Sequence, residues 1–304
     1  MKQGLLFKEF EQDEERLPKA INVASVPQRS PFRYPGGKTW FVPTFRKWID
    51  SLPYKPYMLI EPFAGGGIIS LTALFENLVQ KAVMVEKDEE IAAVWQAVVS
   101  GNAAWIAERI LSFDLTKENV LAEIQKHDTD IKQIAFQTVL KNRTLHGGIL
   151  AEGSSFLKYG ENGKGIRSRW YPKTIAVRFQ NLNRIAAKIN FIHGDGLTVL
   201  RRYADEKQAI FFIDPPYTAG GKKAGRRLYK YYELDHEELF SVCESLQGDF
   251  LITYDMAEEV QNLARKYGFQ MKLIAMHNTH HAHMTELVIG RDLSWMSDAP
   301  GTND

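Results

Sequence analysis

Short apolar runs alternate with amphipathic stretches along most of the chain. MLIEPF (58 to 63) and KAVMVE (81 to 86) have the length and composition of buried strands, and each precedes a segment with helical spacing, IISLTALFENL and EEIAAVWQAVV. This predicts a βαβα opening. The rhythm resumes with INFIHGD (189 to 195), AIFFIDPPY (209 to 217), DFLITYD (249 to 255) and FQMKLIAM (269 to 276). HEELFSVCESL and AEEVQNLARKYG are the intervening helices, and MTELVIGRD reads as a last strand. The alternation predicts an α/β fold: an open, mostly parallel sheet with helices on both faces.

Residues 101–187 break the rhythm. Helical patterns around AAWIAERIL, KENVLAEIQ and IKQIAFQTVLKN lead into a Gly-rich, strand-poor stretch, LHGGILAEGSSFLKYGENGKGIRSRWYP. An inserted, mainly helical lobe follows, dividing a core made of residues 30–100 and 188–292. Residues 1–29, with Glu9, Glu11, Asp13, Glu14 and Glu15, read as a loosely held arm, and 293–304 as a tail.

Composition narrows the class. With 44% hydrophobic and 25% charged residues in 304, the chain is ordinary globular material, and no run nears the roughly 20 apolar residues that span a bilayer. Acids stand near the start where a signal peptide needs an apolar stretch, so export is not expected. The lone Cys243, in LFSVCESL, reads as helix core and excludes an internal disulfide, which fits a cytoplasmic protein. The net charge of +1 says little, but its distribution is uneven: residues 141–184 carry nine basic side chains against two acidic ones.

Two motifs carry chemistry. Glu61-Pro62-Phe63-Ala64-Gly65-Gly66-Gly67 joins a strand to a helix, where missing side chains let backbone N–H groups approach a ligand. Glu86 ends the next strand 19 residues after Gly67, where dinucleotide folds place a carboxylate on ribose hydroxyls. A nicotinamide cofactor fits this pair as well. The second motif is Asp214-Pro215-Pro216-Tyr217. Its prolines stop sheet pairing and stiffen the chain, so the Asp214 carboxylate and a backbone carbonyl can be held together as two acceptors. Two acceptors suit a group with two N–H bonds, such as the 6-amino group of adenine, whose lone pair is delocalised until both hydrogens are taken up. Tyr217 would stack on a base turned out of its helix.

With these motifs in this order, the chain resembles the DNA adenine methylase family of amino-methyltransferases over most of its length after residue 30. Phe32-Arg33-Tyr34-Pro35-Gly36-Gly37-Lys38 is similar to the family's amino-terminal cofactor motif. The resemblance implies a Rossmann-like S-adenosylmethionine-dependent methyltransferase sheet. It assigns Tyr34, Lys38, Glu61, Phe63, Gly65, Gly67, Glu86, Asp195 and Asp214 to S-adenosylmethionine, and Asp214, Pro215, Pro216 and Tyr217 to catalysis. The insert becomes a target-recognition domain acting on double-stranded DNA. NRTLHGG, from Asn142, is similar to the start of the family's recognition hairpin, but Ala151 stands where readers of GATC carry arginine, which points away from that site.

Arg143, His146, Lys158, Arg167 and Arg169, beside Trp170, are candidates for base or phosphate contacts. Lys222, Lys223, Arg226 and Arg227 follow DPPY in a loop suited to a flap over the flipped base. His277, His280, His281 and His283, with no cysteine nearby, read as loop and strand-end residues, and no metal is expected. A cognate restriction endonuclease is a candidate partner. An RNA adenine methyltransferase and a non-catalytic nucleic-acid-binding module on the same fold stay open as alternatives.

Overall fold

The computed structural model describes residues 26–33, 36–146, 155–160, 163–217, 231, 233–277 and 283–296. Seven strands form one sheet: β1 (Met58–Glu61), β2 (Lys81–Glu86), β3 (Ile189–His193), β4 (Ala209–Ile213), β5 (Asp249–Asp255), β6 (Gln270–His277) and β7 (His283–Gly290). Their order is β3-β2-β1-β4-β5-β7-β6, and only β7 runs antiparallel, between β5 and β6. The predicted α/β sheet and its strands are present. The chain winds outward from β1 through β2 to β3 and then returns to β4, so the order reverses between β1 and β4. Open sheets of this kind bind ligands at the carboxyl ends of the strands at that reversal.

The strand β4 shows why both faces are covered. All five of its residues are buried. Ile210 and Phe212 pack with Phe41 and Phe45 on one side, while Phe211 and Ile213 pack with Leu239 and Phe240 on the other. A continuous apolar run therefore serves two cores, as the period of two requires.

Ten helices are described: α1 (Val42–Ser51), α2 (Ile68–Phe75), α3 (Glu89–Val99), α4 (Ala103–Ser112), α5 (Lys117–Ile124), α6 (Ile131–Thr144), α7 (Pro172–Asn183), α8 (Gly196–Arg202), α9 (His236–Ser245) and α10 (Glu258–Lys266). Side-chain caps start several of them: Asp88, Thr116, Asp130, Asp195 and Asp235 each accept from an N–H of the first turn. Helices α1, α7 and α8 lie outside the predicted set. The first two carry proline in the first turn, Pro43 second in α1 and Pro172 first in α7, where its missing N–H would have no intrahelical partner.

Within residues 101–187, α4 packs on α7 and α6 on α3. Ile106, Phe136, Leu140 and Phe179 share one hydrophobic cluster with Trp95 of α3 and with Leu59 and Ile210 of the sheet. Among the described residues no helix is long and apolar enough to cross a membrane.

Candidate active site

Four carboxylates stand where the parallel strands end. Glu61 closes β1, Glu86 closes β2, Asp195 follows β3 and caps α8, and Asp214 follows β4 directly. Parallel strands put the ends of separate segments on one edge.

Glu61 is buried, and its Oε2 accepts from the backbone N–H and the hydroxyl of Ser70 in the first turn of α2. Burial pushes its carboxyl up to about 8, Asp214 adding to the shift and the Ser70 bonds opposing it. Glu86 ties the glycine loop to β2: its Oε2 accepts from Gly65 N at 3.0 Å, and its Oε1 from Lys87 N and Asp88 N at 2.8 and 2.9 Å. Burial raises it to about 7 against those N–H groups. Trp95 Nε1 donates to Gly65 O at 2.9 Å, closing the loop from α3.

Gly67 adopts φ 62°, and a Cβ there would fall 2.4 Å from Met84 Cε and 3.1 Å from Trp95 Cζ2. A Cβ on Gly196 would fall 2.5 Å from Pro62 O and 3.0 Å from the Phe63 ring. The backbone thus lies tight under the crevice. Asp195 is exposed beside Lys87 at 3.5 Å; partial burial would raise its carboxyl, but Thr198 N–H and the Lys87 ammonium hold it below the usual range.

This edge fits S-adenosylmethionine. Its four carboxyl groups supply acceptors for a ligand that carries hydroxyls, an amino group and a sulfonium charge. Of the cofactor residues expected from the sequence, Lys38, Glu61, Phe63, Gly65, Gly67, Glu86, Asp195 and Asp214 come together along this edge. Tyr34 lies outside the described residues.

The second part of the site is a buried polar knot around Asp214. Its Oδ1 accepts from Thr253 Oγ1 at 2.8 Å, and lies 2.9 Å from Tyr217 Oη and 3.0 Å from Lys38 Nζ. Lys38 is 3% exposed; it comes from the 3-10 turn Lys38–Phe41 and also reaches Glu286 Oε2 at 3.2 Å. Burial pulls the ammonium down, but Asp214 and Glu286 outweigh it and hold its pKa above the ordinary value. The expected cofactor lysine is therefore an ion-pair partner of the DPPY carboxylate, because a buried ammonium needs carboxylate neighbours.

The Tyr217 hydroxyl lies 2.7 Å from Lys38 Nζ and 2.8 Å from Glu286 Oε2, and its ring stacks on Tyr254 at 5.5 Å between centroids. Tyr254 Oη in turn bonds His236 Nδ1. Glu286, Thr253, Tyr254 and His236 are absent from the sequence reading. For Glu286 a signal existed: a lone acid inside the apolar strand MTELVIG.

The basic segment divides. Arg143 is 4% exposed and donates to Pro31 O; burial, with Arg178, Arg33 and Arg169 nearby, pulls its pKa down to about 9. It was expected at a DNA surface, but its burial gives it a structural place. Beside it, Asn142 accepts from Arg33 N and donates to Arg33 O, both at 2.9 Å, and Arg178 donates to Ser30 O at 2.9 Å. These bonds fasten the strip that leads to Lys38.

Next, residues 144–146 and 155–157 run antiparallel: His146 N donates to Ser155 O at 2.8 Å, Leu157 N donates to Thr144 O at 3.0 Å, and Leu145 pairs with Phe156. His146, Lys158 and Arg167 are exposed on this stretch and Arg169 is half-buried. Ala151, Lys222, Arg226, His280 and His281 lie outside the described residues. Among the described residues no group of three His, Cys, Asp or Glu side chains could hold a metal ion.

Residues 34–278 match the model of the D12 class N6 adenine-specific DNA methyltransferase family. The chain belongs to that family. It is accordingly an enzyme that transfers a methyl group from S-adenosylmethionine to N6 of adenine in DNA. No similar protein is found among curated proteins.

Solved structures of related shape include the rRNA methyltransferase aviRa from Streptomyces viridochromogenes, 11% identical, covering 93% of this chain and 97% of that one at a TM-score of 0.42. A SAM-dependent methyltransferase from Agrobacterium tumefaciens is 9% identical, with 83% and 61% covered and a TM-score of 0.38. The precorrin-6y C5,15-methyltransferase from Geobacter metallireducens is 8% identical, with 82% and 87% covered and a TM-score of 0.35.

Proposed function

We propose that this member of the D12 class methylates an adenine turned out of double-stranded DNA, with Asp214 as the residue that grips the amino group. The observation that carries the reading is the position of Asp214: it follows β4 at the sheet reversal, beside the glycine loop, with Oδ1 already oriented by Thr253 and Lys38. Its carboxylate and the Pro215 carbonyl accept the two hydrogens of the 6-amino group, which frees the nitrogen lone pair. Pro216 stiffens that turn. S-adenosylmethionine supplies the methyl group on its sulfonium. Asp214 then takes the proton that the nitrogen loses once the new N–C bond has formed. Tyr217, backed by Tyr254, is the wall for the flipped base.

Tyr34, Lys38, Glu61, Phe63, Gly65, Gly67, Glu86 and Asp195 make up the cofactor side. His146, Lys158, Arg167 and Arg169, together with Lys222 and Arg226 beyond DPPY, hold the DNA backbone and read base edges. The setting is the cytoplasm, and a cognate restriction endonuclease, whose cutting the methylation would block, is the candidate protein partner.

Labelled methyl transfer from S-adenosylmethionine to duplex DNA, with RNA as competitor, tests the reading. Asp214→Ala is expected to lose about 1000-fold or more in kcat, with a melt that is lowered but still cooperative, because Glu286 remains as a carboxylate partner of Lys38. Unchanged transfer by that variant would overturn it.

A further inference from the structure

The Tyr217 hydroxyl has one hydrogen to give, yet it lies within hydrogen-bond distance of two carboxylates, Asp214 Oδ1 at 2.9 Å and Glu286 Oε2 at 2.8 Å. Lys38 Nζ likewise spans both, at 3.0 and 3.2 Å. An ammonium beside the carboxylate that grips adenine has a cost. The amino nitrogen gains positive charge as it takes the methyl group, and Lys38 alone would cancel the negative charge that stabilises this step. With Glu286 present, the knot holds two carboxylates against one ammonium.

We infer that Glu286 is a positioning residue for methyl transfer: it offsets Lys38 and takes the Tyr217 hydrogen, so that Asp214 remains an unsaturated, negatively charged acceptor for the adenine amino group. This inference rests on the role of Asp214 proposed above.

Register explains how an acid of the antiparallel strand gets there. Glu286 on β7 pairs with Asp255 at the carboxyl end of β5, so the first half of β7 lies along the catalytic edge. Its side chain is buried among Lys38, Asp214 and Tyr217, with Asp255 across on β5 and the uncharged Ile274 across on β6. No bond to a cofactor is needed to place it.

The test compares Glu286→Gln, which keeps size and an acceptor but removes charge, with Glu286→Asp, which keeps charge and shortens reach. Methyl transfer to duplex DNA gives kcat and both KM values, and melting and cofactor binding report on the fold. In Glu286→Gln, kcat is expected to fall on the order of 100-fold with both KM values within about threefold of wild type, and Glu286→Asp to recover at least about tenfold of that loss. A Glu286→Gln enzyme as active as wild type overturns the inference. So does an equal loss in both variants, or a loss confined to KM, since either marks a merely structural acid. If Glu286→Gln does not fold, Glu286→Asp decides alone: kcat within about tenfold of wild type supports the role, and a loss near 100-fold overturns it. A wild-type protein that transfers no methyl group sinks the proposed function itself, whereas an active wild type with an equally active Glu286→Gln sinks only this inference.

Discussion

The side-chain amide of Asn142 holds the backbone of Arg33 from both sides, accepting from its N–H and donating to its carbonyl at 2.9 Å each. Asn142 is buried at the end of α6, and Arg33 lies five residues before Lys38. The helices of residues 101–187 thereby anchor the strip that delivers the lysine to Asp214.

Replacing Asn142 with Ala should cost about 2 kcal/mol of stability, one for each bond lost. Cofactor affinity should fall too, although Asn142 touches no ligand site directly. Asn142→Asp keeps the acceptor for Arg33 N–H but sets a carboxylate oxygen against the Arg33 carbonyl, so it should not restore the second bond. Denaturant melts and calorimetric titration with S-adenosylmethionine read both effects; unchanged affinity in Asn142→Ala would separate this anchor from the site.

Gly67→Ala should be harmful for two reasons. The φ of 62° disfavours any L side chain, by roughly 1 kcal/mol, and the added methyl would meet Met84 Cε at 2.4 Å. Overpacking adds about 1–3 kcal/mol, softened where the Met84 side chain yields. The expected outcome is a lower melting temperature together with weaker cofactor binding. Wild-type stability would show that the loop has more room than the close packing implies.

Cofactor binding should release protons near neutral pH. Burial holds Glu61 at about 8, so at pH 7 it is mostly protonated in the free enzyme. A ligand with cationic groups lowers that value, and the proton leaves. Calorimetry in phosphate and in Tris buffers reports the release through the difference in apparent heats. Glu61→Gln should reduce it; an equal release in that variant would assign the proton to Glu86 or another group.

His236 gives stability a pH dependence of definite sign. Burial lowers its pKa, with Glu259, Asp235 and Asp255 opposing, and its Nδ1 bonds Tyr254. The folded state therefore favours neutral imidazole. As pH falls through about 6.5, the unfolded chain takes up a proton that the folded one resists, so this contribution is present above that value and is lost toward the lower folded pKa. Melts at pH 7.5 and 5.5 should show a smaller difference in His236→Gln than in wild type. An identical difference would remove His236 from the account.

Much of the molecule was legible in the sequence because the relevant signals are local. Buried strands such as AIFFI are apolar runs of strand length, the loop from Glu61 to Gly67 announces itself by its glycines, and Pro-Pro marks where β4 must stop. These residues needed no partner to be recognised. Helices α1, α7 and α8 escaped notice; α7 begins where the Gly-rich stretch ends, and α8 spans only seven residues.

Charge was the least readable property. Arg143 and Arg167 look alike in a basic segment, yet α6 turns the first into the interior, while the second stands exposed on the turn Gly165–Arg169. By itself the sequence determined the α/β alternation and the motif order, and it marked Asp214 as the candidate centre. Only the tertiary structure decided that Lys38, 179 positions before Tyr217, lies against its hydroxyl, and that Glu286 completes the knot. Those meetings depend on strand order and on the antiparallel register of β7 against β5. Register is a relation between distant segments, and neither segment carries it alone.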